Sequence, residues 1–180
     1  MDEALQQLLD KQAINELLVR YCRGADRGDA DLIAACYHEG AIEDHGGTFT
    51  GPAEDYVAML RRILPSAPRM SHLITNILIE LEGDRAWSEC YFLTFSRREG
   101  AGGEDGFDSL TMARAVDQLE RRDGRWGMVH RRLAWEWNHE MEIRESWGRG
   151  QIAPDPSRLV RGGKRPDDIL YVHGGFAGGD

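Results

Sequence analysis

Cysteine is scarce in this chain: Cys22, Cys36 and Cys90 are the only three among 180 residues, widely spaced and without a CxxC pair. Such an odd, scattered set supplies neither a disulfide framework nor a zinc site, and it suits buried thiols in a reducing compartment. Long apolar runs are missing too. No stretch approaches the roughly 18 apolar residues of a membrane span, and none follows Met1. We expect a cytoplasmic protein with no membrane partner. Basic residues are in deficit, 22 Lys and Arg against 31 Asp and Glu, for a formal net charge of -9. Those cations are interleaved with acids, whereas phosphates are held by grouped Lys and Arg, which argues against a nucleic-acid partner. Several motifs are absent: GxGxxG, a P-loop and GxSxG. The run HEMEI at His139 carries Ile143 where HExxH would need its second His, so metal catalysis loses its one candidate. No metal is therefore expected. Ser71, Ser88 and Ser109 have no elbow context that would make a nucleophile.

What is present is periodic. Residues 4–25 carry Leu5, Leu8, Leu9, Ile14, Leu17, Leu18, Tyr21, Cys22 and Ala25 at helical spacing, the stripe of a helix lying on a core. Gly28 stops it, and Asp29 can cap a second short helix, DADLIAACY, ending at Gly40. AIEDHGGTFTG reads as a strand and turn, and Pro52 starts a third helix that Pro65 and Pro68 end. From there the period becomes two. Residues 71–81, 85–98, 108–122 and 125–138 are β-rich and separated by turn-like segments, which suggests an antiparallel meander. Helices first and strands after argue for α+β, three helices on one face of a curved sheet. From about Trp147 the chain is rich in Gly, Pro, Arg and Asp without an apolar period.

The order of elements, with INELLVRYCRGADRGD, the SHLITN strand start and the closing DGRWGMVHRR, resembles the SnoaL-like branch of the nuclear-transport-factor-2-like superfamily over roughly residues 5–140. The resemblance implies a cone, the cystatin-like α+β barrel, in which a curved antiparallel sheet and three N-terminal helices enclose a pocket. It assigns residues 1–141 to the SnoaL-like domain and leaves 142–180 as an extended C-terminal tail. Ile152, Leu159, Ile169, Leu170 and Tyr171 give that tail anchors, and Tyr171 and His173 could pack over the pocket mouth or onto a neighbouring subunit. Among the enzymes of the branch are scytalone dehydratase, bile-acid 7α-dehydratase, lindane dehydrochlorinase, steroid isomerase and polyketide cyclases. Most use no cofactor, and none is expected here.

In lyases of this kind a Tyr on the first helix is followed five residues later by an Asp, and a His opens the strand after the third helix. Tyr21, Asp26 and His72 match those positions. The resemblance thus implies a dyad in which Asp26 orients His72 as general base. Helical periodicity alone puts Asp26 roughly 110° from the centre of the apolar stripe, at a solvated helix edge, while Tyr21 lies well inside it. Gly24 and Gly28 could loosen the helix end and let the carboxylate swing inward. His72 shares strand parity with Ile74, Asn76 and Leu78, making Asn76 a candidate substrate contact. The family's Arg on the last strand, which steadies a leaving group or oxyanion, falls on Arg131 or Arg132. Arg132 shares parity with Trp126 and Met128, and Arg131 with Val129 and Leu133, although a bulge could reverse the choice. Asp44, His45 and His130 are further candidates for binding substrate, and His38 at a helix end would interact with the dipole.

These residues point to a cofactor-independent lyase of aromatic compound catabolism, acting on a small aromatic or polycyclic molecule. The departing group would be water, halide or an aldehyde. An isomerase or cyclase in the same pocket, or a non-catalytic ligand-binding or assembly subunit, is the alternative. Trp87, Tyr91, Trp135 or Trp137 on the convex face suggest a homodimer or homotrimer.

Overall fold

Helix α1, Glu3–Arg27, opens with the Asp2 side chain accepting from the Ala4 N–H at 3.1 Å and closes at Gly28, whose left-handed backbone (φ 69°) is the usual end of a helix. The computed structural model describes residues 2–100, 102, 105–146 and 155–172. Only the second half of α1 follows the apolar stripe inward: Ile14, Leu17, Leu18, Tyr21 and Cys22 are buried, whereas Leu5, Leu8 and Leu9 are exposed. The first half is pinned instead by Asp10, which accepts from Trp126 Nε1 at 2.9 Å and from Arg121 Nη1 at 2.9 Å. A buried carboxylate is tolerated there because a cation and a ring N–H satisfy it.

Helix α2, Ala30–Ala34, is shorter than DADLIAACY implied, because the chain turns at once into strand β1, Tyr37–Asp44. Asp29 does cap it, accepting from Leu32 N–H at 3.1 Å. His38 therefore lies on a strand and not at a helix end; its Nε2 meets Glu120 O at 2.9 Å and its Nδ1 meets Arg125 Nη2 at 3.0 Å. Strand β2, Thr50–Pro52, folds back on β1, and Pro52 caps helix α3, Ala53–Ile63.

Four long strands follow: β3, Arg69–Glu82; β4, Arg85–Arg98; β5, Phe107–Arg122; and β6, Arg125–Glu142. The sheet runs β2-β1-β6-β5-β4-β3, curved and unclosed, so the fold is the expected α+β cone. One pairing departs from the antiparallel pattern: β1 lies parallel to β6. Helix α1 packs across β3 and β6, and α3 across β1. The concave face carries Ala86, Cys90, Phe92, Ala113, Ala115, Leu119 and Met128 against Ile14, Leu18 and Tyr21.

Three bulges set which side chains face inward. Asn76, at φ 51°, lies where β3 has two residues opposite Cys90, and an asparagine tolerates that left-handed conformation. Val129 and Glu136 are the extra residues of β6 against β5. Each reverses the alternation beyond it.

Residues 155–172, ending in the short helix α4, Ile169–Val172, return to the end of α1. Arg165 N–H donates to Arg27 O at 2.7 Å, Tyr171 O–H donates to Asp29 at 3.1 Å, and Arg27 pairs with the buried Asp168 at 3.6 Å. Leu159, Leu170 and Tyr171 are partly buried, but Ile169 is exposed. Trp147, Ile152 and His173 lie outside the described residues.

Candidate active site

Asp26 leaves the last turn of α1 and reaches the start of β3. Its Oδ1 lies 2.6 Å from His72 Nδ1, and both carboxylate oxygens accept from the His72 backbone N–H at 3.1 Å. Three contacts from one residue lock carboxylate and ring together, favouring the proton on Nδ1 and leaving Nε2 outside the pair. No loosening of the helix is needed. α1 stays helical to Arg27, and Gly24 serves close packing instead, since a Cβ there would stand 2.6 Å from Ile33.

His72 forms part of the wall of a cavity of about 230 Å³ shared with Tyr21, His45, Phe92, Arg131 and Trp135. Most of its surface is apolar side chain, which strengthens electrostatic interactions inside it. Tyr21 is buried; its hydroxyl meets that of Tyr56 at 3.4 Å, and the Arg131 guanidinium lies 4.1 Å from the centre of its ring. Burial, and then Tyr37 and Glu43 nearby, push the Tyr21 phenol well above its usual range, so it remains a protonated donor.

The Val129 bulge decides between the two arginines. Arg131 faces inward at 1 % exposure, while Arg132 lies outside, 3.3 Å from Asp44. The parity that Arg132 shares with Trp126 and Met128 holds only up to the bulge, which settles a choice the sequence left open. Arg131 donates from Nε and Nη2 to the two oxygens of the fully buried Asp117, each at 2.8 Å, and Nη1 has no hydrogen-bond partner among the described residues. Burial alone would lower the Arg131 pKa, but the Asp117 charge and hydrogen bonds outweigh it and hold the guanidinium well above its usual value.

Of the other candidates, His45 lines the cavity. Asp44 does not; it takes Arg132 and Thr50 as partners. Asn76 is exposed at its bulge, and His130, next to Arg131 on the strand, takes the opposite face. Sequence reasoning missed Glu43, Tyr56 and Asp117. Glu43 is fully buried and bonds both Tyr37 Oη (2.5 Å) and His45 Nδ1 (2.7 Å). The signal for Asp117 was available: it shares strand parity with the apolar Ala113, Ala115 and Leu119, an acid on a core face that needs a buried cation. Among the described residues, no group of three or more His, Cys, Asp and Glu is arranged to hold a metal ion.

The profile of the SnoaL-like domain family matches residues 6–132. Similar solved structures include a hexachlorocyclohexane dehydrochlorinase of type 2, 19% identical, covering 87% of this chain and 100% of its own, with a TM-score of 0.70. A scytalone-dehydratase-like protein from Novosphingobium aromaticivorans is 20% identical over 81% of this chain and 97% of its own, TM-score 0.66. An NTF2-like protein with a cystatin-like fold, also from N. aromaticivorans, is 23% identical over 73% and 85%, TM-score 0.60. At these identities the likeness shows the fold. No curated protein matches the chain.

Proposed function

The chain belongs to the SnoaL-like domain family, and we propose that it is a cofactor-independent lyase that eliminates a small leaving group from a compact cyclic substrate. The observation that carries this is the 2.6 Å contact of Asp26 with His72 Nδ1 in the wall of an apolar cavity. His72 Nε2 takes a proton from a carbon acidified by a neighbouring carbonyl, aryl or halogen group. Asp26 stabilises the imidazolium that forms and keeps the ring oriented. Arg131 Nη1, the unpartnered corner of a rigid guanidinium, faces the charge that develops on the oxyanion or leaving group, and Tyr21 donates a hydrogen bond beside it. The similarity to dehydratase-like and dehydrochlorinase structures supports elimination over other chemistries of this fold. A cavity of about 230 Å³ suits a molecule with one or two small rings. The exposed Leu73, Leu78, Trp87 and Phe95 suit a contact with a second copy, so we also propose a homodimer or homotrimer.

The test is a panel of cyclic β-hydroxy ketones and hexachlorocyclohexane, read by enone absorbance and chloride release. His72→Ala should lower any turnover about 10²- to 10⁴-fold with an unchanged circular dichroism spectrum. Wild-type rates in that variant would sink the reading.

A further inference from the structure

The cavity wall holds a second imidazole, backed by a buried carboxylate, that the proton abstraction leaves unused. Glu43 accepts the Tyr37 hydroxyl at Oε2 and holds His45 Nδ1 at Oε1. His45 Nε2 has no hydrogen-bond partner among the described residues, and the ring stands in the cavity wall. Its orientation is fixed from both sides. Tyr56 stacks on it with centroids 5.1 Å apart, and Trp135 meets it edge-on at 5.9 Å. Trp135 is itself held by its Nε1–H donating to Gly46 O at 2.8 Å. Gly46 is required for that closure, because its φ is 58° and a Cβ would stand 2.6 Å from the Trp135 nitrogen. A ring that merely filled the wall would not need a fully buried carboxylate, which is costly unless it is paired.

His45 and His72 arrive from distant parts of the sheet. β1 and β3 are separated by β6, β5 and β4, yet the curvature brings both imidazoles to one cavity, each with Nδ1 tied to a carboxylate and Nε2 left over. We propose that His45, oriented by Glu43, is the acid that protonates the departing group, and that the substrates of this cavity therefore carry a hydroxyl leaving group. This rests on the elimination reading above and adds to it the acid and the substrate class.

The step balances without a co-reactant. His72 Nε2 takes the proton of the acidified C–H bond, whose electron pair becomes the new C=C bond as the adjacent C–O bond breaks. The leaving oxygen takes a proton from His45 Nε2 and departs as water. His72 ends as imidazolium and His45 as neutral imidazole, and exchange with solvent resets both. Hydroxide is a poor leaving group because water is a very weak acid, whereas chloride departs without needing a proton. The tyrosines are less suited to the task. Burial pushes the Tyr21 and Tyr56 phenols well up, while an imidazole ordinarily exchanges its proton near neutral pH.

The experiment uses the full chain and two probes that give the same product, 3-hydroxycyclohexanone and 3-chlorocyclohexanone, both read as cyclohexenone. His45→Gln should slow the hydroxy probe about 10²- to 10⁴-fold and the chloro probe less than about tenfold. Glu43→Gln should move the ratio in the same direction by a smaller factor, and it serves as the test if His45→Gln does not fold. Equal losses on both probes, no loss on either, or a wild type that turns over only the chloro probe would overturn the inference. A His72→Ala variant that retains both rates would instead overturn the base, and a wild type inert on both probes would overturn elimination together with the acid.

Discussion

Two acid and base pairs lie within a few residues of the cavity and differ mainly in access to it. Arg131 and Asp117 form a bidentate pair in which both side chains are essentially sealed, at 1% and 0% exposure. His72 and Asp26 make an equally close pair, but their side chains keep 20% and 12% exposure, and the imidazole borders open space. The sealed pair has all its capacity but one nitrogen spent on internal bonds, so it holds the cavity wall in place and offers a bound molecule only that one corner. The half-open pair is held on one side only, and what it leaves free can react. The difference teaches that proximity of charges does not identify a reactive group; the unused lone pair facing a cavity does.

Removing the sealed carboxylate should have the largest effect. Asp117→Ala strands the Arg131 cation in the core and should cost about 3–5 kcal/mol of stability, measured by urea unfolding. A cost below about 1 kcal/mol would mean that water reaches the guanidinium and that the pair is not sealed. Asp26→Asn should do the reverse, lowering turnover about 10²-fold or more while the urea midpoint moves little. A variant that unfolds instead would move Asp26 to the scaffold side of the comparison. The smallest effect concerns His38, a neutral imidazole that receives a hydrogen bond from Arg125. Burial, and then the Arg125 charge, lower its pKa from the usual 6.5 in the folded protein. The unfolded chain therefore binds this proton first. The stability contributed by His38 is fully present above the unfolded value and is lost as pH falls from there towards the folded one. Between pH 7.5 and 5 the melting temperature of the wild type should fall more than that of His38→Asn, by roughly 1–3 °C.

Much of this arrangement was legible in the sequence, and the exceptions share a cause. The element order and the inward Tyr21 follow from periodicities of 3.6 and 2, whereas strand parity only set His72 beside Ile74 and the family resemblance pointed that face to the pocket. Asp26 was legible only through family resemblance, because a helical wheel measures direction from the axis and a strand can come to meet a residue at the helix edge. Asn76 was misplaced, and Arg131 could not be told from Arg132, because one extra residue in a strand inverts every later side chain, and nothing in the local composition marks Asn76 or Val129 as that residue. Leu5, Leu8 and Leu9 continue the stripe but find no surface to cover. Glu43 was not singled out because its partners, Tyr37 and His45, lie six and two positions away and meet it through side-chain geometry alone.

The Val129 bulge also bears on how proteins of this shape can be compared. Two strands that carry an arginine the same number of residues from their first turn present it to opposite sides if only one of them bulges in between. Deleting Val129 here would straighten the ladder and leave Arg131 inward opposite Asp117, whereas a regular strand that kept every residue would turn Arg131 outward and Arg132 inward. Residue roles in such strands are better transferred by counting from the paired neighbour across the ladder, here Asp117 opposite Arg131, than by position along the chain.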